Sequence, residues 1–255
     1  MTRRLRFQTF QVTRSTNDTI LELGETDTPE GTTHIARAQS QGRGRSGHTW
    51  SSPADAGLWM STLLRPTRAR SSWAGISLLG GVAVREALVE LGVPDIELYW
   101  PNDLQVGGQK LGGILGEVRS LKQRAWIALG IGINIDFTPA EVQSELPDDV
   151  RRVATTMVES GHPTTKDPLK IAGAILEHFW PLYDRFEAGR SVPALVGSQL
   201  AHVGKKVEVR TPAKLPWRGT VQGLGPGGEL LVEPLEEPEG VTAVTGGEVV
   251  YEADS

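Results

Sequence analysis

Cysteine is absent from the 255 residues of the chain, which excludes disulfide bonds, thiol catalysis and cysteine-ligated zinc. The five histidines are scattered, and no two have the spacing of metal ligands on one helix face. Acidic residues outnumber basic ones, 31 to 26, and the formal net charge of −5 argues against general binding to nucleic acid. The N-terminus lacks the apolar run of a signal peptide, and no stretch reaches the roughly 18 apolar residues of a membrane span. These absences favour a cytoplasmic protein that binds neither DNA nor a membrane.

The composition is that of a globular protein with one sizeable core, or with a large domain and a small one. Segments such as "FQTFQV", "THIARAQ", "GLWMSTLL", "KLGGILGEV" and "RAWIALGIGINI" predict strands. Apolar spacing predicts long helices over residues 72–92 and 168–189 and a further helix over residues 191–200. Beyond residue 202, short strands separated by turns such as "GPGG" predict a small β-barrel. We therefore predict two domains, residues 1–200 and 201–255.

The segment "QGRGRSGHTWSSP", residues 41–53, places two arginines between glycines and a tryptophan after them. Glycine permits the backbone to approach a ligand closely, a guanidinium is suited to a carboxylate or phosphate, and a tryptophan can cover a flat ring. The pattern predicts a loop that closes over an anionic ligand. A solvated surface loop with incidental arginines is the alternative. The segment is neither a P-loop nor a dinucleotide-binding fingerprint.

Three further motifs place polar groups near strand or helix ends. In "WPNDLQVGGQKLGGILGE", Lys110 stands beside paired glycines and can project toward an anion, although the stretch is also typical of an ordinary hairpin. "GIGIN", residues 130–134, places glycine along one strand face, which leaves space for a flat ligand or permits close helix packing. The hydroxyls of "STN", residues 15–17, either serve a ligand at a helix start or cap the helix.

Taken in this order, "STN", "GRGRSGHTWSSP", "WPNDL…QKLGGIL", "GIGIN" and a terminal "GGEV" resemble the biotin protein ligase family, in a match that runs from about Ser15 to Glu252. The resemblance implies an α+β fold of the class II synthetase-like type: a central mixed β-sheet with flanking helices and a small C-terminal SH3-like β-barrel. Longer members carry a DNA-binding domain ahead of the catalytic domain. Because "STN" lies so near the start of this sequence, we expect the short type without that domain.

The resemblance also implies a two-step reaction. Biotin and ATP form biotinyl-5′-adenylate and pyrophosphate, and the adenylate then acylates one lysine of a biotin carboxyl carrier protein. Mg²⁺ is expected on the ATP phosphates, without a metal site made by the protein alone. Nothing in the sequence decides between a monomer and a homodimer.

The site residues implied by the resemblance fall into three groups. The catalytic positions match Arg45, Lys110 and Asp103. The biotin-binding positions match Ser15, Thr16, Asn17, Gln39, Gly42, Arg43, Arg45, Lys110, Gly113, Leu115 and Gly130. The nucleotide-binding positions match Arg45, Trp50, Asn102, Lys110 and Asn134.

These groups have distinct implied roles. Arg45 and Lys110 offset the repulsion between a carboxylate and a triphosphate and stabilise the charge that grows at the α-phosphate. Asp103 orients or deprotonates the incoming lysine amine. Trp50 packs over the adenylate as the loop becomes ordered.

The sequence departs from the family at three positions where members commonly carry basic residues. Ser46 and His48 stand in the glycine-arginine loop, and Tyr99 precedes "WPND". We expect a weaker attraction for phosphate, partly restored by protonated His48 at lower pH. Two alternatives stay open: a lipoate ligase or octanoyl transferase, which share the catalytic fold, and a non-catalytic protein that binds biotin or its adenylate.

Overall fold

The computed structural model describes residues 5–211, 214–236 and 240–251. The first seven strands are β1 (Arg6–Thr13), β2 (Thr32–Gln39), β3 (Gly57–Leu64), β4 (Glu97–Tyr99), β5 (Asp103–Val106), β6 (Gln109–Leu121) and β7 (Arg124–Asn134). They form one seven-stranded sheet in the order β1-β2-β3-β7-β6-β5-β4. The β1–β2 pair is parallel and the other neighbouring pairs are antiparallel. The expected central mixed sheet is therefore confirmed.

The helices of the described residues flank this sheet. They are α1 (Thr16–Leu23), α2 (Gly75–Glu90), α3 (Ala140–Glu145), α4 (Asp148–Val153), α5 (Met157–Ser160), α6 (Pro168–Glu187) and α7 (Val192–Val196). The two long predicted helices correspond to α2 and α6. The helix predicted over residues 191–200 is shorter, because α7 gives way to a 3₁₀ turn at Gly197–Gln199. The short helices α3 to α5 were not predicted, since their polar segments lack a sustained helical pattern of apolar residues.

Alternating side chains divide the sheet into a core face and a site face. Ile127, Leu129 and Ile131 of β7 belong to the main apolar cluster, together with residues of α2 and α6. The residues between them point to the opposite face, where Trp126 and Ala128 pack against α1. Because the period of a strand is two, Gly130 and Gly132 lie further along this same face of β7.

Helix α2 is apolar because it is enclosed by the sheet and α6. By length and composition alone, the stretch Arg70–Glu90 could cross a membrane, so the expectation that no stretch qualifies is wrong on that criterion. In the structure 67% of the qualifying window is buried inside the protein. Leu79, Val82 and Leu88 are fully buried, and each such side chain stabilises the fold by roughly 1.5–3 kcal/mol.

The last five strands form a separate antiparallel sheet. They are β8 (Lys206–Thr211), β9 (Lys214–Leu224), β10 (Leu230–Pro234), β11 (Thr242–Val244) and β12 (Glu248–Tyr251), in the order β11-β10-β9-β8-β12. Strands of this C-terminal sheet contribute to the same apolar cluster as the central sheet. The Trp100 indole N–H also donates to the Gly228 carbonyl at 2.9 Å. The C-terminal sheet thus packs directly against the residues that precede β5. The division into domains at residue 200 stays a prediction.

Candidate functional site

A cavity of about 720 Å³ lies on the α1 face of the central sheet and reaches the C-terminal sheet. Its volume falls within the range of roughly 300–1,000 Å³ that is typical of small-molecule sites. Its lining brings together most of the residues that the sequence singled out, namely Ser15, Thr16, Asn17, Gln39, Arg43, Arg45, Trp50, Asn102, Asp103, Lys110, Gly113, Leu115 and Gly130. Arg210 and Glu248 of the C-terminal sheet also line it.

Two groups of polar residues share this cavity. We call Ser15, Thr16, Asn17, Gln39 and Arg43 the α1 cluster. We call Arg45, Trp50, Asn102, Asp103 and Lys110 the Lys110 cluster.

The α1 cluster begins where β1 passes into α1. Ser15 occupies the N-cap position of α1, but its hydroxyl makes no capping bond and its side chain lines the cavity. The Thr16 backbone N–H donates to Gln39 Oε1 at 2.8 Å, and Gln39 Nε2 donates to Ser52 Oγ at 2.9 Å. Gln39 is therefore fixed from both sides, by the helix start and by the segment after the loop.

Asn17 connects this arrangement to the sheet. Its Oδ1 lies 2.6 Å from Ser61 Oγ of β3, and its Nδ2 donates to Glu117 Oε2 of β6 at 2.5 Å. Ser61 Oγ also lies 2.7 Å from Thr16 Oγ1. Ser61 is fully buried, and its single hydroxyl proton serves one of these two acceptors at a time. The α1 cluster is thus a connected network whose polar groups are largely bonded to other protein groups.

Arg43 anchors the start of the glycine-arginine loop. Its guanidinium makes an ion pair with Asp18 Oδ1 at 2.7 Å and another with Glu117 Oε2 at 3.1 Å. The hydrogen bond to Asp18 chiefly raises the pKa of Arg43 above its ordinary value, burial opposes this, and Glu117 adds to the rise. Two carboxylates therefore compensate this one cation.

The Lys110 cluster is organised around one ion pair. Lys110 Nζ lies 2.8 Å from Asp103 Oδ1 across the β5–β6 hairpin and 5.3 Å from the centre of the Trp50 ring. The Asn102 amide donates to the Ile114 carbonyl at 2.9 Å. The indole N–H of Trp50 is buried, and none of the described residues accepts a hydrogen bond from it. Lys110 is thus placed between a carboxylate and an aromatic face.

Arg45 differs from Arg43 because its guanidinium makes no hydrogen bond to the described residues. Burial lowers the pKa of its guanidinium, and the nearby Asp103 acts in the opposite direction. An arginine nevertheless stays charged at neutral pH. Arg45 also lines a second cavity of about 350 Å³, which it shares with Trp100, Asn102 and the Gly227–Gly228 turn. A half-buried cation without a partner suits an anionic ligand.

The glycines of β6 and β7 make room for two other side chains of the protein. A Cβ on Gly130 would lie 2.5 Å from Asn17 Oδ1, and a Cβ on Gly132 would lie 2.8 Å from Trp50 Nε1. A Cβ on Gly113 would come within 3.3 Å of the Trp50 ring. The glycine face therefore admits Asn17 and Trp50, and the same three glycines line the cavity. Space for a flat ligand on this face stays a prediction.

Two predicted site residues are not brought to the cavity lining. Asn134 lies beyond the cavity on β7, where its Nδ2 donates to the carbonyls of Lys110 at 3.2 Å and Thr155 at 3.0 Å. Both side-chain N–H groups of Asn134 are thus directed to backbone carbonyls, and its place at the nucleotide stays a prediction. Gly42 is buried at the start of the loop, where its carbonyl accepts from the backbone N–H of Trp50 at 2.9 Å.

The three departures from the family pattern have separate surroundings. Ser46 and His48 are exposed and line the cavity. Tyr99 faces away from it, with its ring 4.0 Å from that of His202 and 5.0 Å from that of Tyr251. Burial raises the pKa of Tyr251 in this aromatic cluster. Tyr99 therefore joins β4 to the C-terminal sheet, a packing role in which a lysine would be poorly accommodated.

Sequence reasoning missed the residues that hold the α1 cluster in place: Asp18, Ser52, Ser61 and Glu117. Ser61 had a detectable signal, since a serine within the apolar strand "GLWMSTLL" must find a buried partner. Asp18 and Glu117 had none, because their common partner Arg43 is distant from both in the sequence. Among the described residues, no group of three histidine, aspartate or glutamate side chains could hold a metal ion.

The Biotin/lipoate A/B protein ligase family model matches residues 9–134. The biotin–[acetyl-CoA-carboxylase] ligase of Mycobacterium tuberculosis is 31% identical over 233 residues, which cover 87% of this chain and 79% of that protein. The bifunctional ligase/repressor BirA of Bacillus subtilis is 35% identical over 150 residues, which cover 58% of this chain but only 45% of that protein. This chain thus matches less than half the length of that relative.

Solved structures show the same relationship. The biotin protein ligase from Aquifex aeolicus in complex with biotin and ATP superposes with a TM-score of 0.77 and 26% identity, covering 98% of this chain and 99% of that one. The mixed sheet with flanking helices and the C-terminal antiparallel sheet are therefore a shared architecture.

Proposed function

Because the chain belongs to the biotin/lipoate A/B protein ligase family, we propose that it is a biotin protein ligase. It joins biotin to ATP as biotinyl-5′-adenylate with release of pyrophosphate, and it passes the biotinyl group to a lysine of a biotin carboxyl carrier protein. The observation that carries the proposal is the assembly of the family's motif positions around one cavity. Those positions come from α1, the glycine-arginine loop, the β5–β6 hairpin and β7.

The two clusters divide the substrates between them. The α1 cluster presents fixed donors and acceptors to the neutral ureido ring of biotin, and Gly113 and Leu115 supply the apolar wall. The Lys110 cluster presents Arg45 and Lys110 to the carboxylate and phosphates. When the anions arrive, Lys110 exchanges part of its pairing with Asp103 for the phosphate, which offsets the repulsion between the reacting groups.

Asp103 then has the charge and position to receive the acceptor lysine. An amine attacks only after losing a proton, and a carboxylate at the cavity can orient the ammonium or accept that proton. Mg²⁺ would be held chiefly by the ATP phosphates with at most a few protein ligands, and Asp103 is the carboxylate of the Lys110 cluster that would supply one. When bound, the ion neutralises phosphate charge.

Transfer of labelled biotin tests the proposal directly. The protein is incubated with labelled biotin, ATP, Mg²⁺ and a biotin carrier domain, and the label on the carrier is measured. We expect transfer that requires ATP and the acceptor lysine. In parallel, ATP–pyrophosphate exchange is measured with biotin, lipoic acid and octanoic acid. A response to lipoic acid alone would contradict the biotin assignment, and biotin binding without exchange would leave a non-catalytic binder.

A further inference from the structure

Arg43 is held by two carboxylates from different parts of the scaffold. Asp18 belongs to the first turn of α1, and Glu117 lies on β6. All three side chains are about one-third exposed or less, at 32% for Arg43, 26% for Asp18 and 28% for Glu117. Neither carboxylate belongs to the cavity lining of the described residues. The pair therefore acts on the cavity through Arg43 and the groups next to it.

The same Glu117 carboxylate also holds a residue of the cavity. Its Oε2 accepts from Asn17 Nδ2 at 2.5 Å and from Arg43 at 3.1 Å. One oxygen thus fixes both α1, through Asn17, and the loop, through Arg43. From Asn17 the contacts continue through Ser61, Thr16 and Gln39 to Ser52, whose hydroxyl donates to the Trp50 carbonyl at 3.3 Å. This chain of contacts connects the two ends of the glycine-arginine loop underneath the cavity.

Backbone pairing inside the loop is modest by comparison. Arg43 and Thr49 form an isolated β-bridge, and Gly44 N–H donates to the His48 carbonyl at 2.7 Å. Between them, Ser46 and Gly47 have positive φ and are exposed. The tip of the loop therefore depends on its two ends for its position. At the first end, the Gln41 backbone N–H donates to the Arg14 carbonyl at 2.8 Å, and the Arg43 side chain is the tie to α1 and β6.

We propose that Asp18 and Glu117 form a carboxylate clasp that positions Arg43, and with it the first half of the loop, before biotin binds. The inference rests on the proposed function for its ligand. The clasp makes Arg43 a structural cation and leaves Arg45 as the loop arginine that meets the anion. Asp18 and Glu117 are positioning residues, which lower the cost of ordering the loop when biotin arrives.

The test compares Glu117→Gln and Asp18→Asn with the parent protein. Each variant keeps the side-chain size and an oxygen acceptor but removes one charge of the clasp. The steady-state KM for biotin is expected to rise about tenfold in each, in line with the loss of a charge-assisted hydrogen bond, while the KM for ATP stays within about twofold. Arg45→Gln is expected to show the opposite split, with the KM for ATP and the rate of adenylation affected most.

A second measurement needs no turnover. Trypsin cleaves after arginine, so the rate of nicking at Arg45 without added biotin reports how firmly the loop is held. We expect Glu117→Gln and Asp18→Asn to be nicked several times faster than the parent protein, and saturating biotin to restore protection. The matched control is Asp55→Asn, which removes the exposed ion pair between Asp55 and Arg37 and should leave both readouts unchanged.

The outcomes separate the clasp from the proposed function. Unchanged nicking, or an equal rise in both KM values, would overturn the clasp. If the parent protein forms no adenylate, the proposed function fails, yet the nicking comparison still decides whether the clasp holds the loop. Thermal unfolding shows whether Glu117→Gln or Asp18→Asn is destabilised as a whole. If one of them is, the other variant, which lies on a different element, tests the clasp.

Discussion

Arg43 and Arg45 are two residues apart in one loop, yet their surroundings are opposite. The guanidinium of Arg43 is paired with two carboxylates, whereas that of Arg45 makes no hydrogen bond to the described residues. The same contrast extends to the clusters around them. In the α1 cluster, Asn17 and Gln39 each bond to groups on two sides. In the Lys110 cluster, the indole N–H of Trp50 is buried and has no hydrogen-bond partner in the described part of the chain.

The contrast indicates which part of the cavity changes when ligands bind. Groups already held in place by bonds to the protein need little rearrangement to receive a neutral ring whose donors and acceptors have fixed positions. Half-buried donors without a partner gain most from an incoming anion, since burial has already removed part of their hydration. We therefore expect biotin to find a prepared site and ATP to complete the Lys110 cluster.

The largest expected effect comes from Lys110→Ala, which removes a cation from the Lys110 cluster. Adenylation should fall by roughly 10²–10³-fold, as when one group that stabilises transition-state charge is removed. Biotin binding, measured by calorimetry, should change by no more than about threefold because the α1 cluster is untouched. Lys170→Ala, at an exposed position on α6, serves as the control. If Lys110→Ala exchanges pyrophosphate as fast as the parent protein, the Lys110 cluster does not have the proposed role in adenylation.

Two glycines on one face of β7 provide a matched pair of substitutions. Gly130→Ala places a methyl group against Asn17, and Gly132→Ala places one against Trp50. Overpacking of this kind costs about 1–3 kcal/mol. We expect the first variant to weaken biotin binding about tenfold and the second to affect mainly the KM for ATP. Gly173→Ala on α6, where a Cβ meets nothing within 4 Å, should change neither. The division between the clusters does not hold if both β7 variants alter the same parameter.

A smaller effect, and in the opposite direction, is expected from His48→Arg. This change adds a positive charge at an exposed position of the cavity lining and should strengthen ATP binding. The KM for ATP should fall roughly twofold to fivefold at low ionic strength, as for an exposed ion pair. High salt should abolish the gain because it screens exposed charges. His162→Arg, which is exposed and outside the cavity lining, is the control. A lower KM for biotin instead of ATP would place position 48 with the other cluster.

The last expected effect is on stability rather than on activity, and it depends on pH through a histidine that contacts α1. His34 Nδ1 lies 2.8 Å from Thr19 Oγ1 of α1, and burial lowers the pKa of this histidine. Below its ordinary pKa of about 6.5, the unfolded chain binds a proton that the folded one resists, so stability falls as the pH falls. One such group contributes a slope of at most about 1.4 kcal/mol per pH unit.

His34→Phe should therefore flatten the loss of unfolding free energy between about pH 7 and pH 5. Urea unfolding at several pH values measures it, with His162→Gln as the control. If the unfolding free energy of His34→Phe depends on pH in the same way as that of the parent protein, His34 does not make the fold sensitive to acid.

How much of the structure could be predicted depends on how far apart in the sequence the interacting residues lie. Local patterns are sufficient for β3, α2 and α6, whose apolar spacing determines what they bury. The motif residues were predicted because the order of their motifs resembles a known family. Glu117 and Ser61 could not be found in this way, since each acts through partners brought close only by the sheet. Asn134 shows the converse, a motif residue whose amide is directed to the backbone carbonyls of Lys110 and Thr155.

The strict alternation along β7 has a consequence for how such a protein can change. Its odd-numbered residues, such as Ile127, Leu129 and Ile131, belong to the core, while Gly130 and Gly132 lie under the cavity. On the even-numbered face, Gly130 and Gly132 line the cavity, whereas Trp126 and Ala128 are fully buried against α1. One face of one strand thus serves the core at its beginning and the cavity at its end, and the insertion of a single residue would exchange the two faces and disrupt both.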